Sequence, residues 1–188
     1  MRVVAGEFKG RRLIGPKGSD ARPTSDKVRE AIFSMLGPLD GERVLDLFAG
    51  TGALGIEALS RGASSATFVE RDSKALAIVR KNLGEIIDDV DRATVMRGDA
   101  LRALSRLQDD SMDLVFVDPP YADAAELEPV LAQALPRVLA ADGVVVTECD
   151  RRSPIALDAT TQEVGQKPLI QRVERKYGDT LIRIYGSQ

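Results

Sequence analysis

Apolar residues recur along this chain in two alternating rhythms. Short runs at Val44-Leu45-Asp46-Leu47-Phe48, Ala66–Glu70, Ala93–Met96, Asp113–Val117 and Val144–Thr147 predict strands. Between them the spacing is helical, predicting helices over Ala53–Ser60, over Ser73–Leu83 with Leu76, Val79 and Leu83 inward, and over Asp99–Gln108 with Leu101, Leu104 and Leu107 inward. A further helix carries Leu127, Val130, Leu131, Ala134, Leu135 and Val138 on one face; Pro129 suits its first turn, and Pro136 is expected to kink or end it. Repeated strand–helix units predict an α/β fold, with a parallel sheet, right-handed crossovers and helices on both faces. The last segment returns to strand texture over Leu169–Lys176 and Thr180–Tyr185, joined at Gly178-Asp179, which predicts an antiparallel hairpin at one side of the sheet.

The chain before Arg43 has another texture. Val3-Val4 and Leu13-Ile14 flank Gly6 and Gly10 and predict a small hairpin; Gly15–Ser19 is a loop by its breakers. Thr24 or Ser25 can cap a helix whose apolar face is Val28, Ala31, Ile32, Met35 and Leu36, and Gly37-Pro38 stops it. Residues 1–36 are thus expected to form a hairpin-and-helix extension, and residues 37–188 the α/β domain. Charge sharpens that division. Residues 1–29 carry eight Lys or Arg against three acids, a balance of +5 that leaves −8 for the remainder, although the whole chain is only −3. A basic contact surface on an acidic body points to a polyanionic partner.

Composition removes several chemistries. There is no histidine, so histidine triads, histidine bases and histidine-held metals are excluded, and no metal is expected. One cysteine, Cys149, allows no internal disulfide framework and suits a reducing cytoplasm. No apolar run reaches the length of a membrane span, and no signal-like segment opens the chain, so a cytoplasmic protein without membrane contact is expected, a monomer by default.

The candidate chemistry lies at strand ends, where open α/β sheets bind ligands. Gly50-Thr51-Gly52-Ala53-Leu54-Gly55 satisfies G-x-G-x-x-G between a strand and a helix, a turn tight enough to bring backbone N–H groups close to a ligand. The first guess from that pattern is a dinucleotide, but the neighbouring acids argue otherwise. Asp46, inside the end of the first strand, would repel a pyrophosphate and attract an ammonium group. Glu70 ends the second strand where a ribose-binding acid is expected, and Asp99, after Gly98, could address an adenine edge or cap a helix. S-adenosylmethionine fits this acidic set better than NAD. At the end of the fourth strand stands Asp118-Pro119-Pro120-Tyr121. Two prolines cannot continue a sheet ladder, so the chain leaves the sheet with a carboxylate, a fixed backbone and an aromatic ring, a set suited to holding a flat, amine-bearing group.

The pair Asp46-Leu-Phe-Ala-Gly-Thr-Gly and Asp118-Pro-Pro-Tyr, in that order and roughly 70 residues apart, resembles the motif pair of S-adenosylmethionine-dependent amino methyltransferases. Val4-Ala5-Gly6, Lys9–Leu13, Arg22–Glu30, Ala53–Gly62 and Val117–Tyr121 resemble, more narrowly, the RsmD group of 16S rRNA guanine-N2 methyltransferases, and the likeness covers essentially the whole chain. That resemblance implies a Rossmann-like class I methyltransferase fold, with a mostly parallel seven-stranded sheet, an antiparallel C-terminal hairpin and a small N-terminal extension. It implies transfer of a methyl group from S-adenosylmethionine to the exocyclic N2 of a guanine in 16S rRNA, of the guanine-966 type. The substrate is expected within a small ribosomal subunit or its assembly intermediate.

Residue by residue, the likeness gives Asp118, Pro119, Pro120 and Tyr121 the catalytic turn. Asp46, Phe48, Ala49, Gly50, Gly52, Gly55, Glu70, Arg71, Asp99, Ala100 and Thr24 are the candidate cofactor contacts. Arg2, Lys9, Arg11, Arg12, Lys17, Arg22 and Arg29 are the candidate RNA contacts. Adenine-N6 DNA methyltransferases and glutamine-N5 protein methyltransferases share such a turn, more often with Asn in the place of Asp118. Asp46 disfavours an NAD-dependent oxidoreductase, and the intact turn disfavours a non-catalytic RNA-binding module.

Overall fold

The computed structural model describes residues 1–15, 25–158 and 168–187. Its seven strands are β1 (Arg43–Asp46), β2 (Ser65–Glu70), β3 (Ala93–Arg97), β4 (Met112–Val117), β5 (Leu139–Asp150), β6 (Leu169–Tyr177) and β7 (Thr180–Ser187). The helices are α1 (Asp26–Leu36), α2 (Ala53–Ser60), α3 (Ser73–Ile86), α4 (Ala100–Leu104) and α5 (Ala124–Val138). The fold is α/β with a seven-stranded, mostly parallel sheet. Two compact units divide it, Met1–Ala100 and Leu101–Gln188. Among the described residues, no helix is long and apolar enough to cross a membrane.

In the first unit the strands run β3-β2-β1, all parallel, with Asp46 opposite Phe68 and Glu70 opposite Arg97. This register brings the carboxyl ends of the three strands to one edge. Helix α2 is buried along its whole length, and α3 turns Leu76, Val79, Leu83 and Ile86 inward. Gly55 has to be glycine: a Cβ there would stand 2.3 Å from the Phe68 ring, so its hydrogen lets α2 lie close against β2. Ser25 caps α1, accepting from the Val28 N–H at 3.2 Å, and Gly37 ends it at φ 82°.

The N-terminal hairpin is reduced to one antiparallel bridge between Arg2 and Arg12, supported by backbone bonds from Val3 to Arg11, Gly10 to Val3 and Leu13 to Met1. Two side chains of α2 hold it in place. The Glu57 carboxylate accepts the N–H groups of Val4 and Ala5 at 2.8 and 3.0 Å. The Ser60 hydroxyl accepts the Phe8 N–H and donates to the Ala5 carbonyl, and the Ser60 carbonyl takes the Glu7 N–H at 2.7 Å. Gly6 lies so close that a Cβ would fall 1.7 Å from the Ser60 oxygen, at a φ of +83°. Gly6→Ala should therefore cost roughly 2–4 kcal/mol in urea unfolding, from overlap plus left-handed strain. Gly10→Ala, at φ +84° in open space, is the control and should cost about 1 kcal/mol.

In the second unit β4 pairs parallel with β5, while β5–β7 and β7–β6 are antiparallel. The C-terminal hairpin forms as expected, turning at Gly178 with φ 62°. Cross-strand partners Glu174 and Arg183 form an ion pair at 3.0 Å. Three expectations shift here. Helix α4 is only five residues long, because Asp99 precedes it and the chain turns after Leu104. Helix α5 begins at Ala124, so Pro129 is interior to it, and it continues past Pro136 to Val138. Strand β5 reaches back to Leu139; the register slips between Met112 and Leu114 of β4, absorbing residues 140–143.

Candidate functional site

In the first unit the candidate cofactor residues gather at the carboxyl ends of β1, β2 and β3. The turn after β1 folds over a backbone bond from Gly52 N–H to Ala49 O at 2.6 Å, with Gly50 and Gly52 at φ 54° and 78°, values that glycine adopts without strain. A Cβ on Gly50 would meet nothing nearer than 3.9 Å, so the turn presents bare backbone. Glu70 supports it from β2: one carboxylate oxygen accepts the Gly50 N–H at 2.9 Å and the other the Asp72 N–H at 2.7 Å. The Glu70 carbonyl takes the Gly98 N–H, which places Asp99 just beyond the end of β3. Phe48 and Glu70 are half-buried, Arg71 and Asp99 are exposed, and Ala49 and Ala100 are buried.

Asp46 is the electrostatic centre of this edge. It is 2% exposed, and its Oδ2 accepts the Gly55 N–H at 3.1 Å. Burial pushes its pKa up to about 7; the Gly55 N–H works against that shift and the nearby Glu70 charge adds to it. Two neighbouring carboxylates, one deprived of water, are relieved by a cation and made worse by a pyrophosphate. The residues present therefore fit the amino-acid end of S-adenosylmethionine.

The sign of the pH effect follows. A folded-state pKa above the ordinary 3.8 means that the folded state holds this proton longer, so stability present below pH 4 is lost as the pH rises toward 7 and levels off above it. Asp46→Asn should gain on the wild type by roughly 2–4 kcal/mol between pH 4 and 8 in urea titrations. Affinity for a cationic ligand should run the other way, rising through pH 7 in the wild type as the carboxylate forms.

Two sequence assignments change in this unit. Gly55 packs helix on strand and gives its N–H to Asp46, so it is not a ligand-facing glycine. Arg29 was expected among the RNA contacts, but it is fully buried. Its guanidinium meets Glu57 at 3.4 Å, Asp26 at 2.8 Å and the Arg2 carbonyl, so it joins α1 to α2 and cannot reach a phosphate. Arg2, Lys9, Arg11 and Arg12 are exposed. Arg2 also donates to the Gly10 carbonyl, and Arg11 to the Ile86 carbonyl at the end of α3 while lying 5.5 Å over the Phe8 ring. Lys17, Arg22 and Thr24 lie outside the described residues.

In this first unit three buried polar residues were missed: Glu57, Ser60 and Asn82. The signal was present, since Glu57 is the lone charge in a mostly apolar helix and Asn82 sits on the apolar stripe of α3.

In the second unit the Asp-Pro-Pro-Tyr turn follows β4 directly. Asp118 is half-buried, Pro119 buried and Pro120 exposed. Pro120 is extended (φ −53°, ψ 136°), and Tyr121 opens a short 3-10 turn, Tyr121–Asp123, closed by the Asp123 N–H on the Pro120 carbonyl at 2.9 Å. The prolines set the backbone on leaving the sheet and the 3-10 turn holds its far side. Among the described residues, no group of three or more acids or cysteines could hold a metal ion.

A Rossmann-like sheet closed by an antiparallel hairpin, with acids at its strand ends and an Asp-Pro-Pro-Tyr turn, defines a class I methyltransferase. The family described as Conserved hypothetical protein 95 matches residues 1–186, and the chain belongs to it, the RsmD group to which its motifs pointed. It is 42% identical over 98% of both chains to the "Putative rRNA methyltransferase YlbH" of Bacillus subtilis. It is 39% identical to the "Ribosomal RNA small subunit methyltransferase D" of Escherichia coli K12, over 64% of this chain and 60% of that one. A solved Escherichia coli structure, "Putative methyltransferase yhhF", superposes with a TM-score of 0.78 at 30% identity, covering 100% of this chain and 98% of that one.

Proposed function

We propose that this protein is an S-adenosylmethionine-dependent methyltransferase of small-subunit ribosomal RNA, acting in the cytoplasm, and that it methylates the exocyclic N2 of a guanine, of the guanine-966 type. The observation that carries the reading is the Asp118-Pro119-Pro120-Tyr121 turn at the carboxyl end of β4, in a chain whose relatives are named as rRNA methyltransferases. Asp46, Glu70, Asp99 and the backbone of the Gly50–Gly52 turn would hold the cofactor. When bound, S-adenosylmethionine supplies an electrophilic methyl group on a sulfonium centre.

The protein's task is to make a poor nucleophile competent. The N2 lone pair of guanine is delocalised into the purine. The Asp118 carboxylate and the Pro119 carbonyl accept hydrogen bonds from its two hydrogens, favouring a pyramidal nitrogen with its lone pair free. Tyr121 stacks on the base, a contact worth about 1–3 kcal/mol. The amine becomes more acidic as it is methylated, so one of its protons leaves without a strong base, which suits a chain lacking histidine. Rate enhancement then comes from positioning and electrostatics. The target base must be unpaired or turned out of its stack.

The exposed Arg2, Lys9, Arg11 and Arg12, with Lys17 and Arg22, would contact the RNA backbone. Neutralising three of them should flatten the slope of log affinity against log salt by about 2–3; an unchanged slope would remove this segment from RNA binding. Primer-extension mapping of rRNA from cells lacking the gene tests the function itself. One guanine stop should disappear from the small-subunit RNA, and an unchanged map would refute the reading.

A further inference from the structure

Asn82 makes contacts that neither cofactor binding nor core packing accounts for by itself. It is fully buried on α3. Its Oδ1 accepts the Ile14 N–H at 2.8 Å, and its Nδ2 donates to the Ile14 carbonyl at 3.1 Å and to the Thr51 carbonyl at 2.8 Å. One carboxamide thus pairs with both backbone groups of Ile14, as a neighbouring strand would, and with its remaining hydrogen reaches the glycine turn.

The bond to Thr51 acts on a particular peptide plane. The Thr51 carbonyl and the Gly52 N–H belong to the same peptide unit, and that N–H donates to Ala49. The plane is therefore held at both ends, by Asn82 and by Ala49, and turning it breaks two hydrogen bonds. It lies between Gly50 and Gly52, whose freedom in φ leaves the turn otherwise easy to rearrange. On the other side, Ile14 and Gly15 lead in sequence to Lys17 and Arg22. Arg11 also ties the N-terminal segment to α3, through the Ile86 carbonyl.

We infer that Asn82 is a positioning residue that couples the N-terminal basic segment to the cofactor turn. The inference rests on the cofactor role proposed for the Gly50–Gly52 turn. Whatever holds Ile14 in register, such as RNA bound along the basic segment, restrains the Thr51–Gly52 plane and raises cofactor affinity. By linkage, cofactor bound at the turn stabilises the backbone at Ile14 by the same factor. An amide that only filled the core would affect stability and produce no such reciprocity.

The test is residue-resolved amide exchange with and without S-adenosylhomocysteine, reading Ile14 against Phe68 of β2, which reports global unfolding. In the wild type, saturating ligand should slow the local opening at Ile14 about tenfold, the factor by which that opening weakens the ligand, while Phe68, whose opening destroys the site, sets the upper limit. In Asn82→Ala and in Asn82→Asp, at saturating ligand, that slowing of Ile14 should vanish. The KM for S-adenosylmethionine should rise about tenfold while kcat stays within about twofold. If S-adenosylhomocysteine fails to bind the wild type, the cofactor reading falls and this inference with it. If it binds, slowing Phe68, and leaves the exchange of Ile14 unchanged, the coupling alone is overturned, a result that needs no variant to fold.

Discussion

Asp118→Ala should lower the rate of methyl transfer by about 10²–10³ while leaving the affinity for S-adenosylhomocysteine within about threefold of the wild type. The expectation follows from the two sets of residues. The groups suited to the cofactor stand at the ends of β1, β2 and β3, whereas Asp118 follows β4 and lies next to the prolines that set its backbone. An acceptor that helps shape the amine acts on the reaction and should change kcat more than cofactor binding. Asp118→Asn keeps one acceptor oxygen and should lose less. Isothermal titration for the ligand and single-turnover transfer for the rate separate the two effects. Equal collapse of both would mean that Asp118 belongs to the cofactor site, and its assigned role would be wrong.

The second large effect concerns stability. Glu57 is fully buried and accepts hydrogen bonds from the Val4 and Ala5 N–H groups, from Arg29 and from Arg61. Glu57→Ala leaves the Arg29 guanidinium buried with its nearest remaining carboxylate on Asp26, and removes one of the two α2 side chains that hold the hairpin. Removing one partner of a buried ion pair costs about 3–5 kcal/mol, because the other charge is stranded. For a chain of this size the melting temperature should fall by about 10 °C or more. The double variant Glu57→Gln, Arg29→Met should recover part of the loss, since it strands no fully buried charge. If Glu57→Ala melts within about 2 °C of the wild type, the hairpin and α1 are not held as described.

How much of this was legible in the sequence depends on range. Local rules placed α2 and the capped start of α1 within a residue, and found the C-terminal hairpin, because apolar period and turn chemistry act over a few residues. They missed the slip in β5, which depends on its neighbour β4, and let Pro129 and Pro136 count for more than they did against the apolar face of α5. The site shows the same division. The glycine turn and the Asp-Pro-Pro-Tyr turn are contiguous motifs and could be read directly. Arg29 was misread because its charge is visible in sequence but its burial against Glu57, on another helix, is not. Asn82 was missed for the same reason: its partners, Ile14 and Thr51, are distant along the chain.

In the role proposed for them, Asp118 and the Pro119 carbonyl would select an exocyclic amine on a planar group, which guanine and adenine both offer. Nucleoside analysis of the product therefore tests the central claim most directly. Small ribosomal subunits from cells lacking the gene are incubated with the purified protein and S-adenosylmethionine carrying a labelled methyl group, and the RNA is then digested to nucleosides. The account predicts label in N2-methylguanosine from the small-subunit RNA, lost with Asp118→Ala. Label in N6-methyladenosine, or in protein with none in RNA, would contradict it.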